Sequence, residues 1–539
     1  MKSGTNRECT DFIIVGAGSA GCTLYHQLAH RLGGTYRIIE AGTAVTKHSA
    51  RTRPTRYHQP PNTQTPWDYP KLFGSGLDWN YQTVAQEQLA KRKLPWPRGK
   101  GLGGSSLINA MIYLPGSQGD WCALARDWNI DPLELRQHLP HQIPTALWPC
   151  ASEPEIHPLS QRFLDACQEW QQQAACDFLM ATDYTSGAFP RSIQHGRRVT
   201  AYQAFVATAA TAGNVLIESD TLVERILFKD HRAVAVQCVC EGVRRIFTAN
   251  SGIILCAGAI ETPALLLRSG IGGAEYLESL RIPVVHDLPG VGCNLQDHLL
   301  MPLITQSQEP SLTHRPSLSD SQNYRWYGRG PLTSNIAEAG CFFQSRLSSA
   351  NTSLRRVQES RYIPDLQIHF TPTHYLEYPI RPEPTSAFSL GLTLLQPFSR
   401  GRILLASSEA KVPPRIDPAY LSDERDLQIF LEGIERCREL AATAPLATIS
   451  GGEILPGAKR TGGLALERAV RAFVQTVFHP VGTCAVGDTP NSVVDTQFRV
   501  RGCDGLYIVD GSVFSRIPAC NPAAQIMTLA SLAAHRIAT

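Results

Sequence analysis

The first residues placed to do chemistry are glycines. Gly16, Gly18 and Gly21 form G-x-G-x-x-G, with Ser19 and Ala20 inside the motif. Gly16 would permit a tight turn, Gly18 would let the backbone approach a pyrophosphate, and Gly21 would let a helix lie close on a sheet. The phosphate charge would rest on the free N–H groups that open the helix. Glu40, beside Ala41, follows nineteen residues after Gly21. At that spacing a carboxylate can accept hydrogen bonds from a ribose. A second candidate is His479, in F-H-P-V-G-T-C-A-V-G. The proline and the Gly-Thr that follow make a stiff loop able to hold an imidazole still. An imidazole with a pKa near neutral can act as a general base. On the residues alone, a loop histidine with a structural bond stays open as well. A third candidate, Asn521-Pro522, reads first as a helix start: asparagine is a good N-cap and proline a good first helical residue.

These groups need a frame. Phe12, Ile13, Ile14 and Val15 form a continuous apolar run, as a strand covered on both faces would. Residues 10–42 therefore read as strand, glycine turn, helix, strand. With an acid at the right place, this context turns a weak motif into a dinucleotide-binding expectation. At 539 residues the chain is long enough for roughly two to four domains. It is 43% apolar and 18% charged, with 50 basic and 47 acidic residues and a net charge of +3. No strong field points to nucleic acid. The basic stretch 47–56 reads as a solvated loop. No run of about 18 apolar residues predicts a membrane-spanning helix. The N-terminus lacks an apolar signal core, so the expected location is the cytoplasm. Fifteen cysteines without repeated spacing read as reduced and structural, with no metal site.

Residues 95–113, P-W-P-R-G-K-G-L-G-G-S-S-L-I-N-A-M-I-Y, form a second glycine-rich loop running into an apolar segment. So many small residues suggest backbone pressed against something bulky and polar. Here the chain resembles the glucose–methanol–choline (GMC) oxidoreductase family of FAD enzymes, over roughly 10–115 and 195–539. The resemblance implies FAD as cofactor, with the first motif on its ADP half. It places Arg98, Gly101, Gly103, Gly104, Ser105, Asn109, Ala110 and Ile112 beside the pyrophosphate and flavin. Family members with flavin bound through histidine carry it just before the motif's asparagine. Ile108 stands there, so non-covalent FAD is expected.

The later motifs follow the family in order. The sequence predicts a helix over 196–206, two strands over 214–228, and a hairpin turning at Glu241-Gly242. Val223 falls where relatives touch the adenine end through backbone. S-G-I-I-L-C-A-G-A-I-E-T-P resembles a second signature: a strand over 253–256, a turn at Ala257-Gly258, then a helix with Pro263 in its first turn. The family would have L-P-G-V-G-C-N-L-Q-D-H close the cofactor half, with His298 structural. Leu77–Val84 suggests a short strand pair. Strands over 363–370, 388–397 and 401–407 suggest an antiparallel substrate-domain sheet, with His369 as packing and Ser422 capping the helix that follows. Near the end, Asp510 and Gly511 would contact FAD, and Pro522 would open a helix pointing at the flavin. The resemblance makes His479 the catalytic base and Asn521 its partner, hydrogen-bonded to the substrate oxygen.

The expected fold is α/β (α+β overall): a Rossmann-like FAD/NAD(P)-binding domain with a second substrate domain on an antiparallel sheet. The expected division is 8–120, 191–300 and 476–539 for the FAD domain, 301–475 for the substrate domain, and 121–190 as a divergent insert or lid. The expected reaction is oxidation of a small-molecule alcohol, with electrons passed to oxygen, a quinone or another acceptor. The family also contains hydroxynitrile lyases and a photodecarboxylase, and a non-catalytic flavin-binding protein stays open.

Overall fold

The computed structural model describes residues 9–43, 61–139, 155–179, 185–207, 214–312, 316–347, 363–376 and 385–539. The basic stretch 47–56, and most of the 137–149 segment taken as part of the insert, lie outside them.

Two sheets carry the molecule. In the first, four parallel strands run in the order Val215–Glu218, Tyr36–Ile39, Cys9–Val15, Val243–Leu255, and Leu506–Ile508 adds a fifth beside the last. Phe12 to Val15 are all buried, as an apolar run without alternation requires. Helix Ser19–Leu32 follows the glycine turn, and the C-terminal helix Ala523–Ala538 packs against it. The strand expected over 253–256 is the end of one thirteen-residue strand, Val243–Leu255. Its first half pairs antiparallel with Arg232–Cys240, which pairs with Thr221–Lys229. The predicted hairpin therefore grows directly into the parallel sheet.

The second sheet is antiparallel, in the order Ser450–Leu455, Leu299–Ser307, Ala387–Leu394, Leu366–Thr371, Ala339–Phe343, Ser186–Ala188. Leu366, Ile368 and Phe370 point into a core closed by helix Glu424–Ala441 through Phe430, Ile434 and Cys437. The alternate residues Gln367, His369 and Thr371 face the other way, as the period of two demands. That polar face borders the site.

Several local expectations are corrected. Arg402–Leu404 does not join the large sheet but pairs with Arg415–Asp417 in a separate ribbon. Tyr81–Gln82 pairs with Pro95–Trp96, not within 77–84. In 196–206 only Ala201–Phe205 is helical, because the Thr200–Gln203 capping box starts the helix there, and Arg197–Arg198 pairs with Ile193–Gln194. Asp423 caps Glu424–Ala441, accepting from the Arg425 N–H at 3.0 Å, so Ser422 lies one residue outside. Pro263 sits inside helix Gly258–Arg268, not in its first turn. Its missing N–H leaves the Ala259 carbonyl free, and the Thr483 hydroxyl donates to that carbonyl at 2.7 Å. No described helix is long and apolar enough to cross a membrane.

Candidate active site

A cavity opens at the C-terminal ends of the parallel strands, the place where open α/β sheets bind ligands. Gly16, Gly18, Ser19 and Ala20 line it at the start of helix Ser19–Leu32, where Gly18 offers no side-chain cap. A Cβ on Gly16 would meet the Cys256 carbonyl oxygen at 2.5 Å, and φ there is +105°. Gly21 faces away from the cavity: a Cβ there would strike the Gly16 carbonyl, so this glycine serves helix–turn packing. Glu40 and Ala41 line the next wall, with Val223 beside them.

Glu40 does more than the sequence suggests. Its carboxylate accepts from the backbone N–H groups of Ala17 (3.0 Å), Gly42 (2.8 Å) and Gly101 (3.1 Å). It thereby ties the two glycine loops together, and burial pushes its pKa up to about 7. The loops also touch directly, since a Cβ on Gly104 would lie 2.6 Å from Gly18 Cα. Arg98, Gly104 and Ser105 line the cavity. Gly101 and Gly103 brace it from behind, the latter donating to the Ala17 carbonyl at 2.8 Å. Asn109 also turns its side chain to the protein: its Oδ1 accepts from Met111 N–H and from Arg198. Ala110 packs against an apolar cluster with Met111, and Ile112 is buried in another.

The far end of the cavity is built from the end of the chain. Ala257, Gly258, Asp510 and Gly511 line it, together with Pro480, the residue after His479. Asp510 joins the two strand ends, accepting from Gly258 N–H (2.8 Å), Thr262 Oγ1 (2.6 Å) and Ser512 N–H (2.8 Å). A pocket lined by a helix start, two glycine loops and the ends of the parallel strands fits a dinucleotide such as FAD. Ile108 is buried and offers no nucleophile for a covalent link.

His479 and Asn521 meet, though 42 residues apart. Asn521 Nδ2 lies 3.2 Å from His479 Nε2. Asn521 does not cap: helix Ala523–Ala538 has Pro522 at its cap position and no side-chain bond there. The other ring nitrogen of His479 is held by a residue read as merely structural. His298 Nδ1 lies 3.0 Å from His479 Nδ1, and His298 Nε2 lies 3.0 Å from the Leu395 carbonyl. A carbonyl can only accept, so His298 carries its proton on Nε2 and accepts at Nδ1. His479 must then donate from Nδ1, which leaves the Nε2 lone pair facing Asn521. Burial pushes the His298 pKa down to about 3 and keeps it neutral. His479 lies deep yet keeps some accessible surface, and burial, then His298, His369 and Arg98, lowers its pKa well below the usual histidine value. His369, read as packing, touches the same group: its pKa is pushed down to about 4 by burial, against a raising hydrogen bond with Asn521.

The His479 loop is clamped from below. Asp297 accepts from the His479 N–H at 2.7 Å, from Thr476 Oγ1 at 2.5 Å and from the Tyr420 hydroxyl. Arg98 donates to the Phe478 carbonyl at 2.5 Å, and Phe478 adopts a left-handed φ of 67°. The one signal for this network was the adjacency of Asp297 and His298 in L-Q-D-H.

The chain matches the family profiles described as GMC oxidoreductase over residues 10–300 and 397–530. It is 34% identical to an alcohol dehydrogenase [acceptor] of Pseudomonas putida, over 98% of this chain and 95% of that protein. It is 32% identical to an oxygen-dependent choline dehydrogenase of Escherichia coli, over 94% of this chain and 91% of the other. Among solved structures, pyridoxine 4-oxidase from Mesorbium loti superposes with a TM-score of 0.83 at 26% identity, covering 97% and 98% of the two chains. Formate oxidase shares the fold, with a TM-score of 0.87 at 23% identity over 99% of each chain.

Proposed function

Because this chain belongs to the GMC oxidoreductase family of FAD enzymes, we propose that it oxidises an alcohol with His479 as base and Asn521 as the group that orients the substrate oxygen. The observation that carries this is the pairing of His479 Nε2 with Asn521 Nδ2 at 3.2 Å while Nδ1 is committed to His298. A substrate hydroxyl placed against the two side chains meets a lone pair on one and an amide on the other. Bound FAD supplies the hydride acceptor. The Gly16–Ala20, Glu40, Ser105 and Asp510 walls would hold it. His479 Nε2 takes the hydroxyl proton as the carbon–hydrogen pair leaves, and His298 keeps the ring from turning. Asn521 holds the oxygen, and its side chain is itself steadied by a hydrogen bond with His369.

Relatives named for alcohol, choline and pyridoxine support an alcohol-type substrate. The electron acceptor is read as oxygen, a quinone or another small acceptor. A cytoplasmic location belongs to the same reading, supported by the fourteen described cysteines, none in a disulfide. The division at 8–120, 121–190, 191–300, 301–475 and 476–539 is proposed as the domain plan. In anaerobic mixing with an alcohol panel, wild type should bleach its flavin. His479→Ala should keep its FAD and bleach roughly 10²- to 10⁴-fold more slowly. Equal rates in the two proteins would remove His479 from the reaction. Bleaching by no alcohol would remove the alcohol reading.

A further inference from the structure

The three most exposed large apolar side chains among the described residues lie on one helix: Leu318 at 86%, Tyr327 at 74% and Trp326 at 73%. This helix, Leu318–Tyr327, has no buried residue. It is nevertheless well made. Ser317 and Asp320 form a capping box, and Gly328 closes it in the left-handed region at φ 63°. Tyr324 anchors it from its inner side, packing on a cluster that contains Trp67, Met111 and Ile336. Leu318, Gln322, Arg325 and Trp326 stand at i, i+4, i+7 and i+8, so they share the outer face. The Arg325 guanidinium lies 5.9 Å from the Trp326 ring centroid. Arg329 follows, and Arg197 sits beside the helix on Gln64 at 2.7 Å. Asp320, held in the cap, is the one acid in residues 316–330.

We propose that this face docks the protein on an anionic lipid surface. Tryptophan settles at the headgroup level of a bilayer, where its ring can be half apolar and half wet. Arginines beside it meet anionic headgroups. The face is carried by one ten-residue helix. Nothing described spans a bilayer, so the attachment is peripheral. The cluster under Tyr324 includes Ala110 and Met111 of the second glycine loop, so the docking face lies one apolar layer from the cofactor loop. Docking would bring that loop near a lipid-dissolved acceptor such as a quinone, a consequence that rests on the proposed reaction; the docking itself does not.

The test is co-sedimentation of the flavin-loaded full chain with vesicles of phosphatidylglycerol and phosphatidylcholine, against phosphatidylcholine alone. Wild type should bind the anionic vesicles at low salt and release at high salt. Leu318→Ser with Trp326→Ser, and separately Arg325→Ser with Arg329→Ser, should each weaken binding roughly tenfold or more. Alcohol oxidation with a soluble dye acceptor should stay unchanged in both. Equal binding by wild type and variants, or no preference for anionic vesicles, overturns the proposal. So does a concentration-dependent dimer in sedimentation that the Leu318/Trp326 variant abolishes, because the face then belongs to a second copy. Lost dye activity in wild type would instead count against the alcohol reaction and leave docking to be read from the vesicles.

Discussion

His298 donates from Nε2 to the Leu395 carbonyl and accepts from His479 at Nδ1, 181 residues away in sequence. It decides which nitrogen of His479 holds the lone pair. Removing it lets His479 take the other tautomer or turn its ring. His298→Ala should therefore lower the rate of flavin reduction roughly tenfold to hundredfold, less than the 10²–10⁴ at stake in the base itself. KM should hold, since His298 does not touch substrate. His298→Asn retains an acceptor and should recover part of the rate. Stopped-flow reduction under anaerobic conditions measures this, and an unchanged rate in the alanine variant would show that His298 only packs.

The contact between the two glycine loops gives a sharper test of the cofactor site. A methyl on Gly104 would lie 2.6 Å from Gly18 Cα, and φ at Gly104 is +52°. Neither backbone can yield without opening the cavity. Gly104→Ala should purify with little or no flavin, read as the ratio of visible to ultraviolet absorbance. Gly258→Ala, where an added methyl meets nothing within 4 Å despite its φ of +84°, should lose less. Normal flavin content in Gly104→Ala would mean that the loops are not pressed together.

What was legible in the sequence follows from how local each demand is. Gly16 shows because a close approach to the Cys256 carbonyl, at a φ of +105°, excludes every other residue at that point. The apolar run from Phe12 to Val15 shows because a strand buried on both faces cannot alternate. The role of Asn521 was visible only through resemblance, since its local pattern reads as a cap and the structure uses it elsewhere. The His298 contact and the hydrogen bonds that join Glu40 to Ala17 and Gly101 were not legible, because their partners come from distant strands and loops. Ser422 and Asp423 are both good caps, and only backbone geometry chooses between them. Pro263 looked like a helix start because its stand-in partner, Thr483, lies 220 residues away.

That stand-in is itself testable. Pro263 cannot donate to Ala259, and the Thr483 hydroxyl does so at 2.7 Å in a fully buried setting. Thr483→Val keeps the shape and orphans the carbonyl, which should cost about 1–3 kcal/mol of stability. Thr483→Ser keeps the donor and should cost less. Denaturant melts of the three proteins decide it, and equal midpoints would mean that water serves the carbonyl as well.

Acid should act on the histidines at the site. Burial lowers the pKa of His298 to about 3 and of His369 to about 4, and takes His479 well below its usual value. All three bind protons in the unfolded chain near pH 6.5 but not in the fold. The sign is therefore fixed: their contribution is whole above pH 6.5 and is lost as pH falls toward 4 and 3. Glu40 and Asp297 act the other way, since burial raises them to about 7 and about 6, so the folded state takes up their protons first. The total slope is thus blunted, and a single histidine is best seen by difference. His298→Asn should be less stable than wild type at pH 8. The gap should close by about 2 kcal/mol by pH 5, at about 1.4 kcal/mol per pH unit below 6.5. Thermal melts at the two pH values measure it. The same lowering keeps His479 unprotonated at neutral pH, so kcat/KM should stay level from pH 8 to 6.5 and fall only below that. A gap that stays constant, or an acid limb above pH 7, would mean that these rings are charged in the fold.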